Sequence, residues 1–164
     1  MSAIIVEWLH RVIGSEGGYA NRNPKDDPGG ETKWGISKRS YPNVDIKNLT
    51  VEQASAIYEK DFIGPLLNKG IPNSIIFQLF DFGVHSGISR AVKALQKELG
   101  VTQDGVIGKI TVGKIKEKSE SDLVMLILAS RLEFITGLPN WLANSRGWAR
   151  RIAENLRYGS EDTE

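Results

Sequence analysis

The feature that most constrains the fold is a nearly continuous apolar segment over residues 74–84. Pro72-Asn73 precede it and Gly87 follows it, and residues of these types commonly bound a helix. A helix that is apolar on all sides lies inside a protein, because an exposed face would present hydrocarbon to water. We therefore predict a mainly α-helical protein with this segment as its central buried helix.

Asp81 places a carboxylate within this apolar segment. A buried carboxylate must find hydrogen-bond donors or lose its charge. Two interpretations follow. Asp81 is a structural residue paired inside the fold, or else Asp81 or His85 reaches the floor of a cleft.

Other stretches repeat apolar residues at helical spacing. Thr50 and Gln53 form a capping box that opens one helix, while Ser89 is expected to cap another helix that Gly100 ends. A polar tail is expected after residue 160. The predicted helices cover residues 4–16, 50–61, 89–99, 122–135 and 147–156.

Composition excludes several classes of function. The 164 residues carry a net charge of +1, which does not indicate a nucleic-acid partner. Cysteine is absent and the two histidines, His10 and His85, lack ligand spacing, so we expect no metal and no cofactor. The N-terminus lacks the pattern of a signal peptide and no apolar run is long enough to cross a bilayer. We expect a monomer that is made in a cytoplasm and does not insert stably into a membrane.

A candidate acid lies where the first helix is expected to end. Gly17 and Gly18 are predicted to stop that helix, which places Glu16 at its last turn. The negative end of the helix dipole and the nearby apolar side chains would raise the pKa of Glu16, as a general acid requires. The alternative is a glutamate at a helix end that points into water.

A candidate base lies in the polar loop that follows. Residues 21–31 are rich in turn formers and contain the adjacent Asp26 and Asp27, whose wet surroundings should keep a carboxylate ionised. Two carboxyl groups with contrasting environments suit glycoside hydrolysis. Residues 32–37 are predicted to form one strand of a hairpin beside this loop.

These residues form a longer ordered motif. Glu16-Gly17-Gly18-Tyr19, followed by Asp27-Pro28-Gly29-Gly30-x-Thr32-x-x-Gly35-Ile36, resembles glycoside hydrolase family 108, which comprises N-acetylmuramidases, many of them phage endolysins. Phe80-Asp81-Phe82-Gly83 and residues 90–111 extend the resemblance. It implies an α+β lysozyme-like fold in which a small N-terminal lobe with a β-hairpin faces a helical lobe.

The resemblance also implies roles for single residues. Glu16 would be the catalytic acid, and Asp27 with Thr32 would hold the attacking water, although Asp26 competes with Asp27 for the role of base. The expected substrate-binding residues are Tyr19, Asp26, Trp34 and His85. Tyr19 and Trp34 would stack on sugar rings, with packing beside the hairpin as the alternative. The family usually has asparagine at the position of His85.

The chain is expected to be one domain over residues 1–164, with a catalytic motif region over 1–88 and a helical lobe over 89–160. This second part resembles a peptidoglycan-binding helical segment. The alternative, which we favour because no linker precedes Ser89, is that it is the lysozyme-like domain's own helical lobe. We expect no linker between the two parts.

The implied function is hydrolysis of the β-1,4 bond between N-acetylmuramic acid and N-acetylglucosamine in peptidoglycan. The partner would be the peptidoglycan glycan strand. The resemblance further implies an endolysin that leaves the host cytoplasm through a holin and acts at the cell wall. Two alternatives remain open at this point: a lytic transglycosylase, which would use Glu16 alone, and a non-catalytic protein that binds the wall.

Overall fold

The structure is a computed structural model that describes residues 3–14, 18–21 and 30–164. Within these residues the chain forms seven α-helices and a three-stranded antiparallel sheet. The predicted class, mainly α with a small β part, is confirmed and is consistent with a lysozyme-like build. The chain divides into two compact units, Met1–Gly64 and Pro65–Glu164. The single domain over 1–164 stays a prediction.

The first unit begins with helix α1, Ala3–Ile13, which buries Ile5, Trp8 and Leu9. The helix ends earlier than predicted. Gly14 adopts a left-handed conformation with φ of 58° and its N–H donates to the His10 carbonyl at 2.9 Å. The prediction that Gly17 and Gly18 stop the helix is therefore wrong, because Gly14 already does so.

Three short strands follow in the order β1-β2-β3. They are β1 (Ala20–Asn21), β2 (Glu31–Lys33) and β3 (Ile36–Ser37). The single strand predicted over residues 32–37 is wrong, because Trp34 and Gly35 form a tight turn between β2 and β3. Their φ angles of 53° and 76° are those of a type I′ hairpin turn.

Helix α2, Val51–Tyr58, begins at the predicted capping box. The N–H of Thr50 donates to Gln53 Oε1 at 2.9 Å, and the N–H of Gln53 donates to Thr50 Oγ1 at 3.3 Å. The helix continues as a π-helical turn over Glu59–Ile63 and a 3₁₀ turn over Gly64–Leu66. The capping box is confirmed, while the α-helix itself stops before the predicted residue 61.

The second unit is built around helix α3, Asn73–Ser86, in which residues 74–83 are all buried. The prediction of a central buried helix is confirmed. Helix α3 packs against three other helices, which are α4 (Ile88–Leu99), α6 (Glu120–Thr136) and α7 (Trp141–Asp162). The short helix α5 (Lys109–Ile115) packs on α4.

Two predicted helix ends in this unit are wrong. Gly87, with φ of 87°, is the N-cap of α4, so Ser89 lies inside the first turn and caps nothing. Helix α7 extends beyond residues 147–156 at both ends and includes residues 160–162, which were predicted to be a tail. The Thr163 hydroxyl donates to the Gly159 carbonyl at 2.7 Å and satisfies a group in this last turn.

Asp81 is fully buried and receives hydrogen bonds from Arg131, Arg151 and Asn155. Burial by itself would raise the pKa of Asp81, but the two guanidinium groups outweigh it and lower the pKa to about 2. The interpretation of Asp81 as a structural residue is confirmed. Among the described helices, none combines the length and apolar character that crossing a membrane requires.

Candidate active site

The predicted acid Glu16 and the aspartates Asp26 and Asp27 lie outside the described residues. The structure does describe β1, which follows Glu16 in the sequence, and β2, which follows Asp27. In the antiparallel pairing of β1 with β2, Ala20 lies opposite Thr32 and Asn21 lies opposite Glu31. The sheet therefore joins the segment that directly follows the Glu16 motif to the segment that directly follows the Asp27 motif.

Thr32 occupies the centre of this sheet, between Ala20 on β1 and Ser37 on β3. Neighbouring residues of a strand point to opposite faces. Because Lys33 pairs with the buried Ile36, Thr32 lies on the other face, away from that core residue. The Thr32 hydroxyl makes no hydrogen bond within the described part of the chain, and its predicted role in holding a water stays a prediction.

Tyr19 is 39% exposed, and its hydroxyl donates to Glu31 Oε1 at 2.7 Å. This hydrogen bond raises the pKa of Tyr19 above its ordinary value. An exposed ring with a fixed hydroxyl suits the predicted stacking on a sugar, a role that stays a prediction. Glu31 and Thr32 are consecutive in β2, so the Tyr19–Glu31 pair lies on the face opposite to Thr32.

Sequence analysis did not single out Glu31, the carboxylate that orients Tyr19. Its position in the motif accepts any residue, so the motif gave no signal. The alternation of faces along a strand could have identified it. Lys33 pairs with the apolar Ile36 across the turn, and Glu31, two residues before Lys33, lies on the same face of β2.

Trp34 is half-buried, and hydrogen bonds hold its indole N–H and its main-chain carbonyl. Its indole Nε1 donates to the Leu49 carbonyl at 3.2 Å, and its own carbonyl accepts from the Tyr58 hydroxyl at 2.9 Å. These contacts support the alternative that Trp34 packs beside the hairpin and fixes its position. Stacking of Trp34 on a sugar stays a prediction.

His85 belongs to the second unit, in the last turn of α3, one turn after Asp81. Surrounding protein atoms lower the pKa of His85 by displacing water, and Arg131 and Arg151 act in the same direction, whereas Asp81 opposes them. The side chain is nevertheless exposed, and water around an exposed imidazolium limits this shift. A pKa below the ordinary value of 6.5 leaves His85 mostly neutral near pH 7, and a neutral imidazole both donates and accepts hydrogen bonds.

The described residues contain no group of three or more His, Cys, Asp or Glu side chains placed to hold a metal ion. What their geometry does supply is a paired sheet with different chemistry on its two faces. One face carries the Thr32 hydroxyl, and the other carries the Tyr19–Glu31 pair.

Comparison with known proteins places these observations in a family. The model of the family described as Glycosyl hydrolase 108 matches residues 9–87, a range that contains every predicted site residue from Glu16 to His85. A structure titled "Structure of Brucella abortus SagA" is similar, with a TM-score of 0.87 and 28% sequence identity. That similarity covers 98% of this chain and 95% of that chain. A comparison with curated proteins gives no match.

The family match supports a hydrolase whose substrate is peptidoglycan of the bacterial cell wall. Residues 9–87 match the glycosyl hydrolase 108 family, and the protein is a glycoside hydrolase.

Proposed function

We propose that the protein is an N-acetylmuramidase that hydrolyses the β-1,4 bond between N-acetylmuramic acid and N-acetylglucosamine in peptidoglycan. The observation that carries this proposal is the pairing of β1 with β2. This pairing joins the two segments that carry the family motif, and it presents beside them a Thr32 hydroxyl that no described residue engages. A hydroxyl at this place suits the positioning of an attacking water, which a protein that only binds the wall would have no use for.

In the proposed reaction Glu16 donates its proton to the glycosidic oxygen as the bond from that oxygen to the anomeric carbon breaks. A water attacks the anomeric carbon from the opposite side, and Asp27 takes a proton from this water. The Thr32 hydroxyl hydrogen-bonds the water and orients its lone pair. Because the water attacks directly, the product has the inverted anomeric configuration.

The proposed setting is lysis of a bacterial cell by a phage endolysin. In this setting the protein accumulates as a monomer in the host cytoplasm and reaches the peptidoglycan when a holin opens the membrane. The support for this setting is the resemblance of the Glu16 and Asp27 motifs to those of phage muramidases.

The decisive experiment replaces the acid by Glu16→Gln, which keeps the size of the side chain but removes the titrating proton. We expect a folded variant that clears suspensions of permeabilised Gram-negative cells about 10²- to 10⁴-fold more slowly than the parent protein. Glu52→Gln is the matched control, because Glu52 is an exposed carboxylate of the first unit with no role in the proposed proton transfer. A folded Glu16→Gln protein that still lyses cells would refute the mechanism.

Mass spectrometry of the digested sacculi distinguishes the proposed reaction from its alternatives. Hydrolysis in ¹⁸O-labelled water puts the label on a reducing muramic acid end. A 1,6-anhydro product would instead identify a lytic transglycosylase and would remove Asp27 and Thr32 from catalysis. Binding to sacculi with no released fragment would identify a protein that only binds the wall.

A further inference from the structure

The second unit contains a groove that the proposed reaction does not use. It has a volume of about 620 Å³ and lies where the end of α3 meets α4 and α6. Apolar groups of Phe82, Ala94 and Phe134 form part of its wall. A volume of this size accommodates a ligand of a few residues or rings.

Three cations line this groove. Arg90, Lys93 and Lys97 follow one another at helical spacing on one face of α4. The Arg90 guanidinium lies 4.6 Å from the centre of the Phe134 ring, a contact that holds the cation against the apolar wall. All three side chains are accessible to solvent.

The structure describes every residue that lines the groove. Among them, Glu133 is the one carboxylate. It forms an ion pair of 3.3 Å with Lys97. The three cations therefore exceed the carboxylate by two charges. Gly87, the N-cap of α4, supplies no side-chain cap, so the positive end of that helix adds to the potential at the same edge.

We propose that this groove binds the carboxylates of the peptide stems that peptidoglycan carries on its muramic acid residues. This inference rests on the proposed function. Stem peptides combine free carboxylates with small apolar side chains, which match the cations and the apolar wall respectively. Where a stem is attached, the lactyl carboxyl of N-acetylmuramic acid is tied up as an amide, so the sugars of such a strand offer the cations no anionic partner. A long polyanion such as DNA fits less well, because Glu133 interrupts the basic surface and the whole chain has a net charge of only +1.

The test compares two soluble probes by isothermal titration calorimetry. One is the disaccharide of N-acetylglucosamine and N-acetylmuramic acid with its tetrapeptide stem. The other is the same disaccharide with its lactyl carboxyl blocked as an N-methylamide, so that it carries neither a peptide nor a free carboxylate. We expect the full-length protein to bind the first probe more tightly. The variant Lys93→Gln/Lys97→Gln should lose roughly tenfold in affinity for the stem-bearing probe, which corresponds to about 1.4 kcal/mol, the worth of a charge-assisted hydrogen bond.

The matched control is Lys116→Gln/Lys118→Gln, which removes two exposed lysines of the same unit that do not line the groove. It should bind like the parent protein, and Lys93→Arg/Lys97→Arg should retain most of the affinity. Equal affinity for the two probes, or an unchanged affinity in the Lys93→Gln/Lys97→Gln variant, would overturn the inference. Displacement of the stem probe by double-stranded DNA at a lower concentration than by free tetrapeptide would also overturn it.

Cleavage of peptide-free glycan strands, measured on the same preparations, separates this inference from the proposed function. If the protein cleaves these strands but does not distinguish the two probes, the proposed function stands and the inference about the groove is wrong. If the protein binds the stem through Lys93 and Lys97 but cleaves no strand, the inference about the groove stands and the proposed function is wrong.

Discussion

The hydroxyl of Tyr58 donates a hydrogen bond to the main-chain carbonyl of Trp34 at 2.9 Å, and it fills the space that a side chain on Gly35 would need. Tyr58 is 1% exposed, so this contact comes from the core of the first unit. Trp34 has a φ of 53°, which costs a residue other than glycine about 1–3 kcal/mol. The hydrogen bonds to Tyr58 and Leu49 offset that cost and fix the hairpin that carries Thr32.

The first prediction concerns Gly35. In Gly35→Ala the new Cβ would lie 2.3 Å from the Tyr58 hydroxyl and would also require a left-handed backbone with φ of 76°. We expect a loss of about 3 kcal/mol in the free energy of unfolding, measured by urea denaturation.

Gly70→Ala is the matched control for Gly35→Ala. Gly70 has a similar φ of 71°, but nothing lies within 4 Å of the point that a Cβ there would occupy. It therefore reports the backbone cost alone, about 1 kcal/mol. Equal losses in the two variants would show that Tyr58 does not restrict Gly35.

The hairpin also shows where prediction from sequence stops. The capping box of Thr50 and Gln53 is local chemistry, and the central helix follows from an unbroken apolar run, so both were predictable. The turn at Trp34 was not, because a tryptophan rarely adopts positive φ and the contacts that stabilise it here come from Leu49 and Tyr58, which are distant in sequence.

A second prediction uses two glycines of the same helix, α7. A Cβ at Gly159 would lie 2.4 Å from Val124 Cγ1 on α6, whereas nothing lies within 4 Å of one at Gly147. We expect Gly159→Ala to lower the free energy of unfolding by about 1–3 kcal/mol through overpacking. Gly147→Ala should raise it by about 0.5–1 kcal/mol, because alanine favours the helix.

Chemical denaturation of both variants checks this prediction. Val124→Ala should relieve much of the cost in a Gly159→Ala background, since it removes the clashing methyl group. Strictly additive effects of the two substitutions would mean that α6 and α7 are not in close contact at this point.

A third prediction concerns acid stability and Asp81. The folded-state pKa of about 2 lies below the ordinary value of 3.8, so the ion pairs of Asp81 stabilise the fold above pH 4. This stabilisation, on the order of 2 kcal/mol, should disappear as the pH falls from 4 towards 2. Denaturant midpoints measured across that range should fall in the parent protein.

Asp81→Asn should remove this part of the acid dependence and cost about 3–5 kcal/mol at pH 7, because it leaves the buried Arg131 without its counter-charge. The control is Glu117→Gln, which breaks an exposed ion pair with Lys114 and should cost less than about 1 kcal/mol. Comparable losses in the two variants at pH 7 would contradict the assignment of Asp81 as the central structural charge.

Asp81 illustrates the limit for long-range contacts. Its need for hydrogen-bond donors follows from a carboxylate in an apolar helix, but its partners Arg131 and Arg151 are far along the chain and show no periodic signal that links them to it.

The candidate site was found differently. The ordered motif from Glu16 to Ile36 pointed to it, whereas composition and spacing alone reach only an acid and a base.

The last prediction concerns Thr32. Thr32→Val keeps the β-branched shape that suits a central strand but removes the hydroxyl that is proposed to orient the attacking water. Since that hydroxyl makes no hydrogen bond within the described residues, its loss should leave the thermal midpoint within about 2 °C of the parent value. The kcat for cleavage of glycan strands should fall about tenfold or more, with little change in KM. Ser37→Ala, on the same face of the neighbouring strand, is the control and should keep most of the kcat. An unchanged kcat in a folded Thr32→Val protein would exclude Thr32 from positioning the water and would leave Asp27 to do so alone.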